Sequence, residues 1–222
     1  MRTFLRNNRG LLVFLFCLGL FRTAIADWNP VPTGSMRPTI LEGDVVLVNR
    51  LAYDLKIPLT DISLARLGDP QRGDIITFSS PKDGTRLIKR LVAVPGDVVE
   101  LRDNALRING QPVQYSNMTL VSEPVGSGQF VEATRYTENL DGKDHTVQFL
   151  SSTGSRRDFG PVVVPPDQFF MMGDNRDNSE DSRYIGFVSR DLLIGRAGRI
   201  LVSADIKNNW KPRFDRVIST LH

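Results

Sequence analysis

The chain has 222 residues, 41% of them apolar and 24% charged, the composition of a folded protein rather than a disordered one. A single cysteine, Cys17, excludes an internal disulfide framework and any multi-cysteine zinc or iron–sulfur site. Only two histidines, His145 and His222, are present, which argues against a histidine-rich metal site. The net charge of +3 would suit a nucleic-acid binder, but its distribution does not. Arg2, Arg6, Arg9 and Arg22 carry the excess, and beyond residue 22 there are 24 basic residues against 25 acidic ones. Residues 183–222 hold eight Lys or Arg against three Asp, a surface that is either solvated or turned to anionic lipid.

Between Arg9 and Arg22 runs GLLVFLFCLGLF, twelve residues without a charge. As a helix they span about 18 Å, short of a hydrocarbon core of about 30 Å. Continuing through Thr23-Ala24-Ile25-Ala26, with Arg22 snorkelling, brings the segment near a minimal span. The arginines before it place the N-terminus in the cytoplasm and everything after residue 27 outside. The same segment also fits a cleavable signal peptide ending in Ala24-Ile25-Ala26. Either way the main body is exported.

From residue 28 onward, short β-branched runs bounded by Gly, Pro or Asp predict strands at Asp44–Asn49, Asp74–Phe78, Leu87–Val94 and Asp97–Leu101. Ala105–Ile108, Asn109-Gly110 and Gln111–Val113 read as a hairpin. Thr146–Leu150, Pro161–Val164, Gln168–Met172 and Gly198–Ser203 add strands, and Leu59–Leu67 is the candidate for a short helix. The fold class is therefore mainly β. Residues 103–160, more polar and irregular, read as a β-rich insertion. The expected organisation is an anchor at 1–27, a catalytic β domain of 28–102 plus 161–206, the insertion at 103–160, and a loose tail at 207–222 anchored by Trp210.

Three segments offer chemistry. Ser35 lies on a Gly-Ser turn between Pro32 and Pro38, a rigid way to present a hydroxyl with a free N–H beside it. Lys89 lies in the apolar run Leu87–Val94 of a chain with 22 Arg and six Lys. Alternation puts Leu87, Lys89 and Leu91 on one face and Ile88, Arg90 and Val92 on the other, so Lys89 or Arg90 points inward or into a cleft. Burial can neutralise a lysine: its ordinary pKa is about 10.4, and a base working near pH 7 to 8 needs a drop of roughly 3, about 4 kcal/mol. The third segment, Gly173–Arg183, is a polar loop after an apolar strand. Its Asp174, Asp177 and Asp181 have oxygen ligands but not the EF-hand spacing, and Asp181 is placed to pair with Arg183.

Taken together, the chain resembles the bacterial type I signal peptidases, membrane-bound serine proteases with a Ser/Lys dyad. The motifs are Gly34-Ser35-Met36-Arg37-Pro38-Thr39, Arg72-Gly73-Asp74, Ile88-Lys89-Arg90 with Pro95-Gly96-Asp97, and Gly173-Asp174-Asn175-Arg176-Asp177-Asn178-Ser179 with Asp181-Ser182-Arg183. The resemblance implies a signal-peptidase-like β fold behind one N-terminal transmembrane helix. It implies Ser35 as nucleophile, Lys89 as general base, and an oxyanion hole from the Ser35 N–H and the Thr33 hydroxyl. Ser179 is expected to orient Lys89, Asp181 and Arg183 to shape the site, Gly173 to leave room, and Met36 to pack beneath the turn. The expected substrates are exported preproteins with small residues at the first and third positions before the cut, entering shallow apolar pockets. A phospholipid membrane is the other partner. No metal, cofactor or nucleic acid is expected, and the chain is expected to be a monomer in the inner membrane with its catalytic domain outside. Ala24-Ile25-Ala26 raises self-release after Ala26 as a further expectation. The rival readings are a pilin- or conjugation-associated peptidase of the same superfamily and an inactive peptide-binding envelope scaffold.

Overall fold

The computed structural model describes residues 8–60, 62–124, 129–151, 155–207 and 209–221. Arg2, Arg6 and His222, and with them Asp61 and Asn208, lie outside those residues. Helix α1 (Arg9–Ala24) has 16 residues, which give it a length of about 24 Å, and none of them is buried. No helix among the described residues is long and apolar enough to cross a membrane. Arg22 closes the last turn of α1, where a cation complements the helix dipole. Rather than extending into open solvent, it donates to Asp27 at 2.8 Å and lies over the Trp28 ring.

The chain then enters β1 (Ala26–Pro30), passes the Gly-Ser turn, and returns as β2 (Asp44–Asn49). A small hairpin of β3 (Asp54–Lys56) and β4 (Ser63–Arg66) precedes β5 (Ile75–Ser79) and β6 (Arg86–Ala93). β7 (Val98–Arg102), β8 (Ala105–Ile108) and β9 (Gln111–Pro112) form a meander. β10 (Gln114–Pro124), β11 (Phe130–Leu140) and β12 (Lys143–Leu150) make a separate three-stranded antiparallel sheet. β13 (Phe159–Val163) pairs back onto β7, and β14 (Gln168–Met172) leads through the polar loop to the one-turn helix α2 (Ser182–Ile185). β15 (Val188–Ser189), the long β16 (Leu193–Asp205) and β17 (Lys211–Pro212) complete the fold. The main sheet runs β1-β2-β16-β5-β6-β14-β15.

Strand chemistry explains where the core sits. β2 alternates, with Val46 and Val48 buried, as a strand with one covered face does. β14 is apolar and buried from Phe169 to Met172, as a strand covered on both faces is. Its Phe170 and Met172 enter one core with Val92, Val99 and Leu101, while Phe169 and Met171 enter a second with Ile76, Phe78 and Leu91. A third core gathers Val31, Met36, Ile40, Val46, Val48 and Ile75 under the Gly-Ser turn. The Asn109-Gly110 turn takes positive φ at both residues, as a two-residue hairpin of that type requires.

Two expectations fail. Among its described residues Leu59–Leu67 contains no helix: Pro58 is followed by Leu59 at φ 65°, which turns the chain, and Ser63–Arg66 pairs back onto Asp54–Lys56. Ile62, Leu64 and Leu67 are all exposed, so the segment presents no buried apolar face. Trp210 is 70% exposed and anchors nothing. The tail is held instead by arginines and one leucine. Arg216 pairs with Asp44 at 2.7 Å and donates to the Thr39 carbonyl, Arg213 donates to the Glu42 carbonyl, and Leu221 packs against the third core.

Candidate active site

The third core fixes the Gly-Ser turn from below. Met36 is fully buried among Val31, Ile40, Val46 and Ile75, and it carries Ser35 at the edge of that core, 8% exposed. Two hydrogen bonds from Asn175 hold the turn from the side: its Nδ2 donates to the Gly34 carbonyl at 3.0 Å and its N–H to the Ser35 carbonyl at 3.1 Å. The backbone N–H of Ser35 donates to no group among the described residues. Thr33, exposed, lines the same cleft as Ser35.

β6 delivers the lysine. Lys89 is 3% exposed and its Nζ lies 2.5 Å from the Ser35 Oγ, across 54 residues of sequence. Burial pulls its ammonium down from 10.5 to about 8, against the opposing pull of Asp181, Asp174 and Glu180. Arg90, the next residue, is also buried, so both cations of this strand turn inward. Its guanidinium takes both oxygens of Asp174, at 2.8 and 2.7 Å, and reaches the Gly73 carbonyl at 2.8 Å. Burial alone would raise the Asp174 carboxyl, but Arg90 beside it outweighs that and holds it below the ordinary carboxylate range. The Asp174 carboxylate also accepts from the Thr39 hydroxyl at 2.5 Å, which ties the Arg90–Asp174 pair to the C-terminal end of the Gly-Ser segment.

The polar loop after β14 closes the site. A Cβ on Gly173 would collide with the Ser35 carbonyl oxygen and with Ser179, so only glycine fits. The Asp181 carboxylate caps α2, accepts from the Gly173 N–H at 3.1 Å, and pairs with the Arg183 Nε and Nη2 at 2.8 Å. Both side chains are fully buried. Ser179 lies beside Gly173, but its hydroxyl is buried without a hydrogen-bond partner, so the expected bond to Lys89 is not formed. Of the three aspartates weighed as oxygen ligands, Asp174 holds Arg90, Asp181 holds Arg183, and Asp177 accepts from the Leu150 N–H and the Ser155 hydroxyl.

Several contacts around the site carried no signal in the sequence. Gln148 of β12 exchanges backbone hydrogen bonds with Asp174 and Arg176 on either side of Asn175, which ties the three-stranded sheet to the residue that holds Ser35. Arg37, next to Met36, is clamped between Glu42 and Glu123, the latter from β10. Deeper, the buried Glu138 of β11 pairs with Arg176 and His145; burial would raise it, but Arg176 outweighs burial and keeps it ionised. A cleft of about 370 Å³ opens at Ser35 and Lys89 and is lined by Asn29, Val31, Val46, Thr77, Arg86 and Ile88. Only the three-dimensional pairing of β1, β2, β5 and β6 assembles those residues.

The family model described as signal peptidase, peptidase S26, matches residues 6–202. A signal peptidase I of Pseudomonas fluorescens is 35% identical over 91% of this chain and 74% of its own length. One from Pseudomonas aeruginosa gives the same figures, 35%, 91% and 74%. One from Buchnera aphidicola subsp. Schizaphis graminum is 31% identical over 97% of this chain and 80% of its own. The mainly β chain that carries Ser35 against Lys89 belongs to the S26 family of signal peptidases.

Proposed function

We propose that this chain is a serine endopeptidase that removes signal peptides from exported preproteins by a Ser35/Lys89 dyad at the outer face of a membrane. The observation that carries the proposal is the buried contact of 2.5 Å between Lys89 Nζ and Ser35 Oγ at the floor of a cleft. With its pKa near 8, Lys89 is readily neutral and takes the hydroxyl proton as Ser35 attacks the scissile carbonyl carbon. The carbonyl oxygen becomes an oxyanion facing the Ser35 N–H and the Thr33 hydroxyl. Lys89 then gives its proton to the leaving amine. A water, deprotonated by Lys89, hydrolyses the acyl-enzyme.

Two structural facts favour a peptide substrate. β14 pairs with β6 only from Arg90 onward, so Arg86–Lys89 has β5 on one side and a free edge on the other among the described residues. An extended peptide can add to that edge. Val31, Val46 and Ile88 give the cleft an apolar lining, which suits small apolar side chains. Membrane attachment rests on α1, whose Leu11, Val13, Phe14 and Phe16 are exposed on all sides of the helix. Its outer end is fixed to the catalytic body by the Arg22–Asp27 pair.

Purified Ser35→Ala and Lys89→Ala should each lose cleavage of an Ala-x-Ala preprotein while keeping their circular dichroism. Full activity in Lys89→Ala removes the dyad. Complementation of a cell depleted of its signal peptidase tests the breadth of substrates, and cleavage of one dedicated preprotein alone would favour the specialised peptidase.

A further inference from the structure

Asn175 is one tether on the Gly-Ser turn, and Arg37 is a second. The Arg37 side chain folds back beside Gly34, where an added Cβ would meet its Cδ and Nε at 3.1 Å. Its guanidinium donates to two carboxylates. Glu42, five residues along the same segment, accepts from the Arg37 Nε at 2.6 Å. Glu123, 86 residues away on β10, accepts from the Arg37 Nη1 through its Oε1. The other oxygen of Glu123 accepts from the Arg135 Nη2 of β11 at 2.7 Å. The Arg135 Nε donates in turn to the Gln148 Oε1 of β12 at 2.9 Å. The Gln148 backbone brackets Asn175, donating to the Asp174 carbonyl at 2.8 Å and accepting from the Arg176 N–H at 2.9 Å. Asn175 then returns to the carbonyls of Gly34 and Ser35, so the path closes on the turn where it began.

Glu123 is the link on which the ring depends. It is 3% exposed, and it is the one buried residue in the eleven of β10. A carboxylate that deep is costly unless it is paired, and here each oxygen has its own arginine. Without it, Arg37 and Arg135 would be two neighbouring cations with no acceptor between them. A strand that buries a single side chain, and makes it a glutamate facing two arginines, is joined to its neighbours by charge rather than by apolar packing.

We propose that Glu123 is a positioning residue for the reaction: through Arg37 and Arg135 it locks the Gly-Ser turn to the three-stranded sheet and so keeps the Ser35 hydroxyl on Lys89. The inference rests on the peptidase function proposed above and gives the three-stranded sheet a part in it. Misplacing a nucleophile by a fraction of an ångström lowers the rate of attack without removing any reacting group. Ser35 is the ring member that lines the cleft, so opening the ring elsewhere leaves the substrate contacts in place.

The test is Glu123→Gln in the full chain in detergent. The amide keeps the shape but has one acceptor oxygen and one donor group, so one of the two arginines must lose its acceptor. For an Ala-x-Ala preprotein, kcat should fall about tenfold while KM stays within about twofold. In an Asn175→Ala background, where the turn has already lost its other tether, the same substitution should cost less than about twofold. Arg135→Gln, at a side chain 31% exposed, opens the ring one link further on and should show the same split between kcat and KM; it serves if Glu123→Gln fails to fold. Circular dichroism and urea unfolding confirm that each variant is folded under assay conditions. A kcat within twofold of wild type in the folded variants makes the ring merely structural and overturns this inference alone. So does a full tenfold loss in the Asn175→Ala background, which would mean that Glu123 acts elsewhere. A wild type that cuts no preprotein removes the peptidase reading and this inference with it.

Discussion

The buried lysine makes a prediction about stability as well as rate. Lowering Lys89 from 10.5 to about 8 means that its charged form destabilises the folded state by about 3 kcal/mol relative to the neutral form. At pH 7 both folded and unfolded chains are protonated there, and that whole cost is present. Above about pH 8 the folded chain loses the proton first, while the unfolded chain keeps it to about pH 10.5. Stability then rises with pH, by up to about 1.4 kcal/mol per unit. Lys89→Met keeps an unbranched side chain and removes the charge. Its gain over wild type should shrink by about 2 kcal/mol between pH 7 and roughly pH 9.5. Loss of the contact with Ser35 adds an offset, but that offset does not vary with pH. Urea unfolding of the full-length proteins in a mild detergent, at a series of pH values, reads the difference. A flat difference across that range would mean that Lys89 stays charged in the folded protein, and the neutral-base mechanism would fail with it.

The same group sets the rate profile: kcat/KM for a preprotein should climb as pH rises through about 8, and a flat profile from pH 6 to 9 would exclude Lys89 as the base. Gly173→Ala pushes a methyl group into the Ser35 carbonyl and Ser179, so kcat should fall by roughly 100-fold with the fold retained; steady-state kinetics beside circular dichroism checks this. Glu138→Gln leaves the Arg176 guanidinium buried without its counter-ion. It should cost about 3–5 kcal/mol in urea unfolding, and a loss below about 1 kcal/mol would show the pair to be dispensable.

The strands were largely readable because β-branched runs and the Asn109-Gly110 turn act locally. Asp44–Asn49 and Gln168–Met172 coincide with β2 and β14. The hairpin at residues 54–66 was not readable. The apolar residues Ile62, Leu64 and Leu67 do not distinguish helix from strand, and only pairing with Asp54–Lys56 decides the conformation. At the site, strand alternation foresaw that Lys89 or Arg90 turns inward, and both do. It could not foresee that Arg90 meets Asp174, 84 residues away, because periodicity contains no long-range contact. Trp210 misled for the opposite reason: a large aromatic usually buries, but here the Arg216–Asp44 pair does the holding.

Asn175 has a consequence for the life of the molecule. Ser35 and Lys89 emerge early as the chain is made, yet the two bonds that hold the carbonyls of Gly34 and Ser35 come from a residue 140 positions after Ser35. That residue is in turn seated by Gln148 of β12. A growing chain that already holds Ser35 and Lys89 therefore still lacks the residue that fixes the Gly-Ser turn. The early turn is held in place only when the late loop docks on it.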